Sequence, residues 1–124
     1  MKTTREFLNV LLERVPELHP IYEEHIADYD EVLPHVLMGD VTRFVIDLHK
    51  KSWARGRAEQ EKKTLSSILE ILEGALKSGN DQLQELVVVS FLENLEQDDS
   101  DYESLKKLLG KELSKHLAKI EGQG

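Results

Sequence analysis

Imidazole beside carboxylate can ligate a metal or pass a proton. The sequence offers that combination through His19, His25, His35, His49 and His116. His25 and Asp28 lie three apart and would share a helix face. Asp40 and His49 would converge on them from the following helix. A small-ligand or metal-binding protein, or an enzyme, built on the His, Asp and Glu of residues 25–49 is therefore one reading. The established patterns are missing, however. A di-iron bundle needs paired Glu-x-x-His motifs, and none occurs. The His-Glu-x-x-His of zincins is absent too. Surface and capping histidines are the expectation, with no metal and no cofactor.

Other chemistry fares no better. The acidic run through Asp98, Asp99, Asp101 and Glu103 lacks the central glycine and twelfth-position Glu of a calcium loop. Ser90 sits in an apolar stretch with no Gly-x-Ser-x-Gly elbow, so its hydroxyl is expected to bond a carbonyl one turn back. The glycines are scattered singly, so no phosphate-cradling loop is present. There is no cysteine, which excludes disulfides, thiolate catalysis and cysteine-ligated metals. No catalytic residue is expected. Glu93 and Asn94 are expected at the solvated end of the apolar stretch.

The 124 residues suit one domain, assigned to residues 1–121 with a frayed tail at 122–124. An apolar fraction of 40% supplies one core. Sixteen Lys and Arg face twenty-four Asp and Glu, for a formal charge of −8. That charge repels phosphates, so nucleic acid is not an expected partner. No window reaches the apolar length needed to cross a bilayer, so no membrane partner is expected and the location is expected to be cytoplasmic. The charge is uneven. Within residues 50–63, Lys50, Lys51, Arg55, Arg57, Lys62 and Lys63 outnumber Glu59 and Glu61. This basic island reads as a solvated loop and the first turn of a helix; an anion patch around Trp53 is the alternative.

The elements that must position these residues are helices. Thr3 and Glu6 form a capping box for a helix over Thr4 to Val15, ended by Pro16. A second helix is expected from Pro20, with Ile21, Tyr22, Ile26, Tyr29 and Leu33 as its buried stripe. Pro34 to Gly39 reads as a connecting turn, after which Asp40 caps a third helix that buries Val41, Phe44, Val45 and Leu48. A fourth helix carries Leu65, Ile68, Leu69, Leu72, Ala75 and Leu76 inward and stops at Gly79. Asn80 caps a fifth, over Asp81 to Glu96, expected to be the most buried. Ser100 and Glu103 are expected to cap one last helix holding Leu105, Leu108, Leu109, Leu113, Leu117 and Ile120, with Gly110 inside it at a close helix contact. The fold class is all-α, about six helices in a compact bundle. Residues 65–96 form a hairpin of the HEAT or armadillo type, without the fixed-period copies of a repeat array.

Three phrases carry a family likeness: Leu86-Val87-Val88-Val89-Ser90-Phe91-Leu92-Glu93-Asn94-Leu95, Leu72-Glu73-Gly74-Ala75-Leu76-Lys77-Ser78-Gly79-Asn80 and Leu33-Pro34-His35-Val36-Leu37-Met38-Gly39-Asp40. Together they resemble an uncharacterised family of small bacterial all-helical proteins that look like immunity proteins of polymorphic-toxin systems. The resemblance implies a role in binding and supplies no catalytic residue.

A non-enzymatic protein-binding domain is therefore the leading expectation, with an immunity protein that neutralises a toxin as its specific form. Its partner would be a basic protein such as a toxin domain, steered by opposite charge. The acids expected to contact it are Glu23, Glu24, Asp28, Asp30 and Glu31, or Asp98, Asp99, Asp101 and Glu103. A homo-oligomeric helical scaffold or homodimer is a further alternative, suggested by Ile71 and Val89 as spare apolar residues on polar faces.

Overall fold

The computed structural model describes residues 3–54 and 59–123, without the side chains of 52–54 and 123. Seven α-helices and two short 3-10 turns occur among them: α1 (Thr4–Arg14), α2 (His19–Tyr29), α3 (Pro34–Ala54), α4 (Glu59–Lys77), α5 (Asp81–Ser90), α6 (Tyr102–Lys106) and α7 (Lys111–Gln123). The 3-10 turns are Pro16–Leu18 and Leu92–Asn94. The all-α class holds.

Caps fix several boundaries where the sequence puts them. Thr3 Oγ1 accepts the Glu6 N–H at 3.1 Å, and Asn80 Oδ1 accepts the Leu83 N–H at 3.1 Å. Each side chain satisfies a first-turn donor that the helix itself leaves open. Gly79, at φ 76°, takes the left-handed position that ends α4.

Most of the core comes from α1, α3, α4, α5 and α7, completed by Leu18, Phe91, Leu92 and Leu95 from the connecting turns and by Tyr102 and Leu105 of α6. Phe7, Met38, Val45, Ile68, Leu72 and Leu113 are among its fully buried members. Helix α4 packs on α1, α3, α5 and α7, and α3 packs on α4 and α5. The α4–α5 hairpin expected at residues 65–96 is present. Burying each large apolar side chain contributes about 1.5–3 kcal/mol, so this five-helix contact dominates the fold's stability.

Several expectations need correction. The Pro34 to Gly39 turn does not exist: α3 begins at Pro34 itself, where a missing N–H costs nothing, and Asp40 lies inside it rather than capping it. Helix α1 closes one residue early, with Val15 outside it. The stripe of α2 is only half-buried: Ile21, Tyr22, Ile26 and Leu33 are partly covered, Tyr29 is 46% exposed, and His25 is the fully buried residue of the helix. Helix α5 ends at Ser90 instead of Glu96, and the chain tightens into the Leu92–Asn94 turn so that Phe91 and Leu92 both reach the core. The last helix is two. It breaks over residues 107–110, leaving Leu108 49% exposed. Asp101, not Ser100, is the residue before α6, and no side chain caps it. Ile71 is a core residue; Val89 is the exposed one of that pair.

Candidate functional site

Between Arg14 and Arg43 the chain has no Lys or Arg. That interval holds α2 and its exit turn. Glu23, Glu24, Asp28, Asp30 and Glu31 are all exposed there. Among the described residues none of them is in an ion pair. Helix α2 has no base in its last turn. Asp28, Asp30 and Glu31 therefore cluster at the negative end of the helix dipole, where an acid is disfavoured by about 0.3–1 kcal/mol.

The geometry of the exit turn holds these acids in place. Asp30 adopts the left-handed conformation at φ 59°, and its N–H bonds to the Ile26 carbonyl at 2.8 Å. Asp is one of the few non-glycine types that tolerate this region. The chain then turns back, and the Leu33 N–H donates to His25 Nε2 at 2.9 Å. His25 thus works as a buried internal acceptor that pins the α2–α3 connection. Its Nδ1 carries the proton and is buried without a partner among the described residues. The Tyr29 ring packs on His25, with centroids 5.0 Å apart. The result is an exposed acidic surface that carries one half-exposed aromatic, Tyr29.

The second acidic group is arranged differently. Asp99 Oδ2 pairs with Lys50 Nζ at 2.8 Å. Asp99 Oδ1 accepts the Asp101 N–H at 2.9 Å. The Lys50 bond holds the Asp99 carboxyl below the usual range, and the same bond raises Lys50. His49 is buried beneath this loop. Burial lowers its pKa, partly offset by Asp101 and Asp99. The loop after α5 is thereby docked on the basic end of α3, with Asp98 and Glu103 left exposed. The expected anion patch at Trp53 falls on side chains outside the described residues.

The histidines do not converge. His19 bonds the Leu12 carbonyl at 2.8 Å, and His35 Nδ1 bonds the Ser90 hydroxyl. Ser90 therefore reaches another helix rather than its own previous turn. Its carbonyl accepts from Thr42 Oγ1 at 3.0 Å and from Asn94 Nδ2 at 2.8 Å. Asp40 pairs with Arg43 instead of approaching His49. Among the described residues no group of three or more His, Asp or Glu is close enough to hold a metal.

A groove of about 600 Å³ runs between α4 and the 107–110 turn. Glu73 closes one end of it, accepting the N–H groups of Glu112 and Leu113 at 2.7 and 2.9 Å. A residue from α4 thus supplies the cap of α7. Only Gly110, interrupting an apolar periodicity, hinted at this approach.

A family model described as a domain of unknown function, DUF7674, matches residues 8–122. No curated protein and no solved structure matches the chain.

Proposed function

We propose that this chain, which belongs to the DUF7674 family, is a non-enzymatic binding domain whose acidic α2 surface recognises a basic protein. The observation that carries the reading is the cluster of exposed acids at the α2 C-terminus, none of them in an ion pair among the described residues. Among the described residues no ion pair uses that charge, and the helix dipole opposes it. A cationic partner would relieve both the dipole penalty and the mutual repulsion, and would be attracted from a distance. Tyr29 offers the apolar anchor that charge alone lacks. The same charge disfavours nucleic acid. No helix among the described residues is long and apolar enough to cross a membrane.

Neutralisation of a bacterial toxin is the specific form of this function that we favour, on the resemblance of the three sequence phrases. The test is co-expression with the products of adjacent genes. A basic toxin domain should be bound and its toxicity suppressed, and Glu24→Lys with Asp28→Lys should reverse both. Toxicity suppressed equally by the charge-reversed chain would refute the role of α2. Absence of any bound product, with no self-intoxication when the gene is deleted, would refute the immunity reading.

A further inference from the structure

The groove between α4 and the 107–110 turn has a self-complementary wall. Its floor is Leu65 and Leu69, and its rim is Leu108, whose side chain is half exposed. Along the outer edge run Lys62, Ser66 and Glu70, all exposed and each four residues from the next. Residues at that spacing are stacked neighbours on one helix face. The stripe is positive at one end, negative at the other, and small in the middle.

Its charges are available. Lys62 has no ion pair among the described residues. Glu70 approaches Arg14 only to 3.9 Å, and both side chains are largely in water, where such a pair contributes almost nothing. Glu73, by contrast, is occupied by the α7 N–H groups.

We infer that this groove is a homodimer interface, in which α4 packs antiparallel on α4 of a second copy about a two-fold axis through Ser66. That axis sets Lys62 of each copy against Glu70 of the other, twice over. A parallel pairing would oppose like charges, so the stripe selects orientation as well as partner. The Ser66 side chain is small enough for the two helices to approach. Leu108 of each copy then covers the Leu65–Leu69 floor of the other, which removes the exposed apolar rim from water on both sides. An isologous contact of this kind needs one patch complementary to itself, which this stripe provides. No residue of α2 lines the groove, so the dimer and the proposed acidic recognition surface stand or fall separately.

One helix and one turn make a small interface, at the weak end of specific association. Sedimentation velocity from about 10 μM to about 1 mM should therefore show the mass rising from monomer to dimer. Leu108→Asp should weaken association at least about tenfold, as a charge facing an apolar floor must. Lys62→Glu and Glu70→Lys should each weaken it alone. Mixed together, these two variants should associate with one another, because every facing pair is then of opposite sign. The double variant K62E/E70K should regain self-association. All three positions are exposed, and far-UV circular dichroism reports whether each variant keeps its helices. A strict monomer at every concentration overturns the proposal. So does a dimer unchanged by Leu108→Asp and by both charge reversals, since a different surface would then hold it.

Discussion

Glu73 and Gly110 are in such close approach that a Cβ on the glycine would lie 2.7 Å from the Glu73 carboxyl carbon. The two residues belong to different elements, and the contact exists because the Glu73 carboxylate is held against the first turn of α7. It accepts the Glu112 and Leu113 N–H groups there, doing from α4 what a local Asp or Ser usually does at a helix start. The break in the last helix lies at this contact: the chain is non-helical over residues 107–110, and the carboxylate reaches the α7 N–H groups there.

Substituting Gly110→Ala should destabilise the fold by about 1–3 kcal/mol, since the added methyl displaces a carboxylate that two hydrogen bonds restrain. Glu73→Ala should cost about 1–2 kcal/mol through the lost cap. The two effects should not add. In the Glu73→Ala background, Gly110→Ala should be nearly neutral, because the atom it collides with is gone. Urea denaturation of the four proteins in this cycle measures the coupling. Additive losses would separate the two residues energetically.

His25 should prove structural. His25→Phe keeps the apolar contact with Tyr29 but leaves the Leu33 N–H without an acceptor, a loss of about 1–3 kcal/mol. The Leu33 amide should exchange faster with solvent than in the parent, while amides in α4 and α5 keep their protection. Equal exchange at Leu33 in both proteins would show that the His25 bond does not hold the α2–α3 turn.

Stability should fall as the solution is acidified through the histidine range. Burial lowers the pKa of His49, so the unfolded chain binds a proton there more readily than the folded one. The stabilisation is complete above the unfolded value, about 6.5, and declines as pH falls toward the folded value. Asp99 and Asp101 act against burial and soften the effect. Thermal melts between about pH 7.5 and about pH 5.5 should show a decreasing midpoint, with a shallower decrease for His49→Gln. Identical slopes in the two proteins would assign the pH dependence elsewhere.

The acids of α2 should be destabilising in the isolated protein. Asp30→Asn retains a side chain suited to the left-handed position and removes a charge from the negative end of the helix, so it should stabilise by about 0.3–1 kcal/mol. Asp28→Lys should do likewise. Raising the salt concentration should shrink both gains by screening. A loss of stability on either substitution would mean that the acids serve the fold and would remove the main support for a recognition surface.

The elements with short-range signals were legible in the sequence. Capping by Thr3 and Asn80, the stop at Gly79 and the three-and-four spacing through α4 involve residues within a turn of one another, and local hydrogen bonds and helical periodicity act there without help from the rest of the chain. The all-α class follows from them. The exposed acids of α2 were legible for the same reason, since an unpaired charge is usually left in water.

Tertiary structure alone decided the rest. Periodicity assigned Tyr29 and Leu108 to the interior, yet neighbouring elements cover His25 and leave those two exposed. Pro34 to Gly39 reads locally as a turn, yet Pro34 is the first residue of α3, and the helix packs Leu37 and Met38 into the core. The Glu73 cap, the Thr42–Ser90 bond and the Lys50–Asp99 pair each join residues far apart in the chain. Their energies depend on distances that only the packed helices set, which no spacing along the sequence encodes.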